Sequence, residues 1–588
     1  MKSSMKMKKG RLLEMKHNSL WRVLKRAAPY WKIILFCLLS VIIVNIAEIY
    51  KPLIMETVID DFLIANKPEH GLYSIPAMGI IYMFLIVISS ILTVAQVNAM
   101  NHASQNIVAD LRSEVFTHIQ QMPLSLLDKH SSGRLITRAT NDVEALSEMF
   151  TDVFINLFKD IFLLIGIVIV MVSLDFKLAM IGFTVIPFIL LITNVVKKKM
   201  KANFVNIKSL TGQINGFFAE NIAGMKLVQI FNMQKEKEEE FQGLNDQYYD
   251  ASLTRLKLHT FLRPAIEIFN TLAIALLVWY GMGRIMDNTL GIGVLYAFTN
   301  YIKQFFAPIN DLAEQYNTIQ SAVVSADRVY ELLDQKDHLE DYDSGKHVGR
   351  LEGNIEFKNV WFAYNEGDWV LKDVSFRIEK GQTAAFVGAT GSGKTTIINL
   401  ISRFYEVQKG VILIDDIPIN DINLKDLRRN ISVVLQDVFL FSGSLRNNIT
   451  LHSPVSEEEV QNALEMSCAD SFIEELPNKM DEPVSERGST FSAGQRQLLA
   501  FARTIAHNPS IFVLDEATAN IDTKTEKLIQ KSIENVSTGR TTLIIAHRLS
   551  TIRHADVIFI IHNGRIIERG NHKFLMEMGG YYSRLNAV

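Results

Sequence analysis

The stretch Thr383–Ile401, "TAAFVGATGSGKTTIINLI", decides how this chain is read. A short apolar run suited to a buried strand leads into Gly388-Ala-Thr-Gly391-Ser392-Gly393-Lys394-Thr395-Thr396, and an apolar helix pattern follows. A glycine-rich turn between a strand and a helix start is the context that a phosphate-binding loop requires. Glycines let backbone N–H groups wrap phosphates, Lys394 reaches the outer phosphates, and the Thr395 hydroxyl can take Mg²⁺. Ser392 and Thr396 stand beside them as further nucleotide contacts.

Downstream, "SIFVLDEAT" (Ser510–Thr518) is a second buried-strand run that ends in adjacent acids. A strand ending in acids has many uses, but beside a phosphate loop it acquires a specific one. Asp515 can hold Mg²⁺ through its water shell, and Glu516 can orient or deprotonate an attacking water. Between the two lies "FSAGQRQLLAFARTIA" (Phe491–Ala506), where small and polar residues precede an amphipathic helix. The positive end of that helix, with Ser492, Gly494 and Gln495, suits a phosphate; the same residues also suit a helix that caps only itself.

These motifs occupy the second half of a 588-residue chain, too long for one domain. Hydrophobic residues make up 48% and concentrate before about residue 320. The formal net charge of -3 gives no reason to expect a nucleic-acid partner. Two cysteines, Cys37 and Cys468, lie far apart and indicate neither a disulfide framework nor a cysteine metal site.

Six segments of roughly 20 residues read as membrane spans: 33–54, 75–97, 154–174, 178–196, 265–286 and 290–307. The third carries Lys159 and Asp160 at one end, which shortens its clean apolar run. Lysines crowd the N-terminal arm and "KKKMK" (Lys197–Lys201), placing both on the cytoplasmic side. The long connections 98–151 and 197–264 are rich in helix formers and read as helices that continue into the cytoplasm and return. Gly133 in one, and Gly216 and Gly224 in the other, are expected to break the pattern at the tips. Polar residues inside spans are costly in lipid and mark candidate cavity positions: Asn45, Glu48, Glu267 and Asn300. Tyr301 and Phe305, with their aromatic neighbours, would add a wall suited to amphipathic cations. Helix packing is the competing use of the same residues. The resulting organisation is a basic arm (1–30), a transmembrane domain (31–333), a charged linker (334–352) and a nucleotide-binding domain (353–588).

Taken together, the motifs resemble those of an ATP-binding cassette (ABC) exporter half-transporter over essentially the full chain. Tyr364, in "VWFAYNEGDWVLKDVSF", matches the aromatic that stacks on adenine. Gln436, in "VVLQDVFLFSGSLRNNI", matches the residue linking Mg²⁺ to the membrane domain. "FSAGQ" occupies the signature position, "TANID" supplies Asp522, and His547 in "LIIAHRLST" matches the switch histidine at the terminal phosphate. The resemblance implies an α-helical six-span transmembrane domain with long cytoplasmic helices, followed by an α/β P-loop NTPase domain. It also implies ATP and Mg²⁺ as ligands, and a lipid bilayer as surroundings. The plasma membrane is the expected location, with the N-terminus and nucleotide domain cytoplasmic. The two glycine-broken tips resemble the coupling helices that dock on nucleotide domains.

The family signature normally reads LSGGQ, whereas this chain has Phe491 and Ala493 in place of Leu and the first Gly. Ser485 likewise replaces a family glycine in "PVSERG". That combination, with Glu516 retained, resembles one subunit of bacterial heterodimeric multidrug exporters. The implied partner is a second half-transporter with a normal signature and no catalytic Glu, and the implied substrate an amphipathic small molecule. A homodimeric lipid or peptide exporter, and an ATP-gated sensing module that does not pump, remain the alternatives.

Overall fold

In the computed structural model, residues 19, 21–335, 345–515, 523–545 and 552–586 are described. The chain divides into two compact units, Met1–Phe116 with Ile136–Asp334, and Thr117–Leu135 with Gln335–Val588. The division does not follow linear order: residues 117–135, expected to belong with the membrane half, group with the nucleotide half.

The first unit is helical. Its principal helices are α1 (Trp31–Thr57), α2 (Ile75–Gln121), α3 (Ile155–Leu174), α4 (Ile186–Ala223), α5 (Gln234–Met286) and α6 (Ile292–Leu333). The 47 residues of α2 and the 53 of α5 reach about 70 and 80 Å at 1.5 Å per residue. Since a bilayer core is only about 30 Å thick, each helix extends far beyond it. Helices α4 and α5 stay paired through Ile207, Leu210 and Ala251, and Asn203 donates to the Ala251 carbonyl at 2.8 Å. Among the described residues, five helices are long and apolar enough to cross a membrane. The sixth expected span lies within α6, where Asn300, Lys303 and Gln304 dilute the apolar run. Gly224 ends α4 as expected, but Gly216 does not interrupt it; one glycine inside a long helix costs only about 1 kcal/mol.

The second unit holds two principal sheets. The first is antiparallel, in the order β2-β1-β4-β5, from β1 (Ile355–Ala363), β2 (Trp369–Ile378), β4 (Lys409–Ile414) and β5 (Ile417–Pro418). The second contains β3 (Thr383–Val387), β6 (Ile431–Val434), β9 (Ile511–Asp515), β10 (Thr541–Ile545), β11 (Val557–His562) and β12 (Arg565–Gly570), in the order β12-β11-β3-β10-β9-β6. A two-stranded ribbon pairs β7 (Gly443–Ser444) with β8 (Pro483–Val484). All pairs of the second sheet are parallel except the β12 edge. Strands β3, β9 and β10 are buried at nearly every position, as parallel strands covered on both faces must be. Part of the expected linker is built into this unit: Leu351 is buried in its core and its N–H donates to the Asn430 side chain at 2.9 Å.

Candidate functional site

Register aligns the ends of the central strands. Phe386 on β3 lies opposite Ile545 on β10, and Ile545 opposite Asp515 on β9. The carboxyl ends of parallel strands are where open α/β sheets bind ligands, and the phosphate loop emerges from one of them. That loop leads from β3 into α7 (Lys394–Ile401), whose N-cap Gly393 has φ 107° and makes no side-chain cap. A Cβ at Gly393 would sit 2.7 Å from Leu371, and one at Gly388 would sit 2.2 Å from the Ile561 carbonyl oxygen. Both positions therefore demand glycine, one for its backbone angle and for close approach, the other for close approach alone.

Lys394 is buried, and its Nζ donates to the Gly388 and Ala389 carbonyls at 2.8 and 3.1 Å, so its charge is held inside the loop. The buried Ser392 Oγ has no hydrogen-bond partner. An orphaned hydroxyl beside a caged ammonium at a helix N-terminus is what a phosphate-binding cradle presents. These residues fit the nucleotide that the sequence implies. Thr395 is exposed at the start of α7, and Asp515 is the buried last residue of β9. Gln436 is exposed two residues beyond β6, whose Val434 pairs with Leu514. Glu516, Asp522 and His547 lie outside the described residues.

Tyr364 is 42% exposed, and its hydroxyl lies 3.2 Å from Thr396 Oγ1 and accepts from Asn399 Nδ2 at 3.0 Å. Its ring meets Phe362 and Tyr405 edge-on at 4.9 and 5.0 Å, which fixes the ring while leaving part of it open. Tyr405 in turn donates its hydroxyl to the Asp128 carboxylate, on the segment 117–135 of the same unit. Burial, and then that bond, push the Tyr405 hydroxyl well above the usual tyrosine range. Sequence reading missed Asn399, Tyr405 and Asp128, because nothing in their spacing shows that they meet.

The helix α8 (Ala493–Ala506) begins as a reciprocal capping box. Ser492 Oγ accepts from the Gln495 N–H at 3.2 Å, and Gln495 Oε1 accepts from the Ser492 N–H at 2.9 Å. Ala493 is the first helical residue, with no positive φ. Phe491 is buried against Phe472, ring centroids 6.4 Å apart. Gly494 is buried in the first turn. Ser485 Oγ lies 3.0 Å from Ser489 Oγ.

In the first unit, Asn45 Nδ2 donates to the Lys159 carbonyl at 2.9 Å and joins α1 to α3. The Tyr301 hydroxyl donates to the Ile49 carbonyl at 2.6 Å and joins α6 to α1. Phe305 is buried with Phe183 and Phe306. The expected aromatic wall is therefore part of the unit's own core, since large rings gain more from helix packing than from an open face. Glu48 is half-buried and paired with Lys51 at 2.6 Å, Asn300 bonds its own helix at Tyr296, and Glu267 is exposed. The six candidates thus divide into packed residues and residues with remaining surface.

Residues 34–309 match the family described as ABC transporter transmembrane region, and residues 371–519 that described as ABC transporter. A Bacillus subtilis protein named "Probable multidrug resistance ABC transporter ATP-binding/permease protein YheH" is 40% identical over 509 residues, covering 86% of this chain and 75% of the relative. An "ATP-dependent lipid A-core flippase" of Syntrophus aciditrophicus is 34% identical, covering 96% and 94%. The solved "Structure of a bacterial Atm1-family ABC exporter with ATP bound" superposes with TM-score 0.76 at 24% identity, covering 95% of this chain and 98% of that one.

Proposed function

Because this chain belongs to the ABC transporter family, as an exporter half-transporter that hydrolyses ATP to drive transport, we propose that it exports amphipathic small molecules as one half of a heterodimer. The observation that carries the heterodimer reading is a signature altered at Phe491 and Ala493 in a chain that keeps Glu516. The substrate class rests on the multidrug name of a 40% identical relative and on the polar surface left on Glu48, Glu267 and Asn300. A cytoplasmic nucleotide domain is supported by the lysine distribution, and the plasma membrane by the resemblance to bacterial exporters.

ATP with Mg²⁺ supplies the phosphoanhydride bond whose cleavage is the reaction. The amides at the start of α7, the Ser392 hydroxyl and the Lys394 ammonium would hold the phosphates, with Gly388, Gly391 and Gly393 allowing the close approach. Thr395, Gln436 and Asp515, the last through water, would surround the metal ion. Tyr364 would stack on the base. Glu516 would take the proton of the attacking water, His547 would contact the terminal phosphate, and Asp522 would line the facing site. Ser492, Gly494 and Gln495 would close over the nucleotide held by the partner half.

The capping box and the unstrained Ala493 favour a second reading, a homodimer with a working signature. A lipid substrate is supported by the name of the flippase relative. ATP turnover of the purified chain alone, and of the chain co-expressed with a second half-transporter, separates the pairings. Full turnover by the lone chain would overturn the heterodimer. Accumulation of an amphipathic dye in inside-out vesicles, against transbilayer movement of a labelled lipid, separates the substrates; accumulation of neither would leave the sensing module as the better reading.

A further inference from the structure

Tyr364 directly follows Ala363, the last residue of β1, so its place depends on how that strand end is held. The ladder between β1 and β4 ends at the pair Trp361–Lys409, two residues short of Ala363. From there the side chain of Gln408, the residue before β4, takes over. Its Oε1 accepts from the Ala363 N–H at 3.1 Å, and its Nε2 donates to the Ala363 carbonyl at 2.8 Å. A carboxamide offers the same donor and acceptor as a peptide unit, so Gln408 extends the sheet by one rung. Ala363 is buried, and its two backbone groups need such a partner within the protein.

The hydroxyl of Tyr364 is tied to α7 through Thr396 and Asn399, which still leaves the ring free to turn about its long axis. Phe362 and Tyr405 remove that freedom, meeting the ring at interplanar angles of 88° and 90°. An edge-on neighbour fixes the plane of a ring and leaves a face available. Tyr405 is itself held, with its ring 5.7 Å from that of Phe362 and its hydroxyl donating to Asp128. Tyr405 and Gln408 both belong to the loop between α7 and β4, and the phosphate and metal chemistry uses neither.

On the reading that Tyr364 stacks on the base, we propose that Tyr405 and Gln408 are positioning residues for the base of ATP. Gln408 fixes the backbone from which Tyr364 rises, and Tyr405 fixes the plane of its ring. An aromatic already oriented loses less freedom when the base arrives, and binds it more tightly. The phosphate cradle at the start of α7 gains nothing from this arrangement.

The test uses the full chain, with whatever half-transporter it requires. It reads kcat, the KM for ATP, and the inhibition constant of inorganic triphosphate, which presents phosphates without a base. Tyr364→Ala sets the scale and should raise KM about fivefold or more. Tyr405→Ala should raise it about three- to tenfold. Gln408→Ala, at an exposed position, should raise it about threefold by leaving the Ala363 backbone unpaired. In both, kcat and inhibition by triphosphate should hold. Tyr405→Phe keeps the ring and should restore KM to within about twofold of the parent value. Equal weakening of ATP and triphosphate would overturn the proposal, because the whole domain and not the base would have been disturbed. So would a Tyr405→Phe variant as weak as Tyr405→Ala, or a KM that stays unchanged in Tyr405→Ala or Gln408→Ala while Tyr364→Ala raises it. If Tyr364→Ala itself leaves KM unchanged, the stacking reading falls, and the roles of Tyr405 and Gln408 fall with it.

Discussion

The helices α7 and α8 both begin where a phosphate is expected, yet their first turns are built in opposite ways. At α7 the N-cap is a left-handed glycine with no side-chain cap, and Lys394 is folded back on the loop's own carbonyls. At α8 the Ser492–Gln495 box satisfies the same kind of amide from within the chain. A helix start must place its unpaired N–H groups somewhere. The first is shaped for an outside ligand, and the second is already complete. The site at α7 is therefore organised for a ligand, whereas a phosphate at α8 would meet an amide that the chain itself already engages.

The largest expected effect belongs to the residue that follows β9 in sequence. Glu516→Gln is expected to lower ATP turnover about 10²- to 10⁴-fold, the usual contribution of a positioned base, with nucleotide binding retained. Steady-state phosphate release alongside equilibrium binding of a labelled ATP analogue checks both halves of the statement. Lys394→Ala should instead lose the binding itself, because the ammonium acts on the phosphates and not on the water.

Gly393→Ala comes next. Its φ of 107° is costly for any side chain, and the new methyl would meet Leu371 at 2.7 Å. Strain of about 1–3 kcal/mol corresponds to a fall in nucleotide affinity of about 5- to 150-fold, if the loop relaxes to escape it. Isothermal titration would read the loss directly; unchanged affinity would show that the left-handed turn is not what shapes the cradle.

How far these sites were visible in advance follows from their physics. The phosphate loop was legible because its chemistry is local: glycine, lysine and threonine must occur at fixed spacing between a strand and a helix. The length of α2 and α5 was legible too, since their long connections lacked helix breakers. The grouping of 117–135 with the second unit was legible only through the resemblance of its tip to a coupling helix, whereas the contact of Asp128 with Tyr405 across 277 positions of sequence was not. Nor was the fate of Tyr301 and Phe305. An aromatic in a span looks the same in sequence whether it faces a cavity or a neighbouring helix, and only the bond to Ile49 and the contact with Phe183 distinguish them.

Smaller effects belong to α8. Ser492→Ala removes the side chain that accepts from the Gln495 N–H, and such caps are worth about 1 kcal/mol. The expected result is a lower unfolding midpoint of the nucleotide domain without ATP present. A variant as stable as the parent would show that the box is not formed in the resting protein.

The smallest expected effect discriminates most sharply between the two pairings. Ala493 is already helical, so Ala493→Gly relieves no backbone strain and costs at most about 1 kcal/mol of helix stability. In a heterodimer this signature closes over the nucleotide held by a partner that lacks the catalytic Glu. Removing the methyl there gives a closer fit to a site that still cannot deprotonate water, and turnover of the complex should stay within about twofold. In a homodimer the same methyl would face a site that carries Glu516. A severalfold rise in phosphate release would then mean that the methyl had been limiting a competent site, and two copies of this chain, not two different chains, would be the working unit.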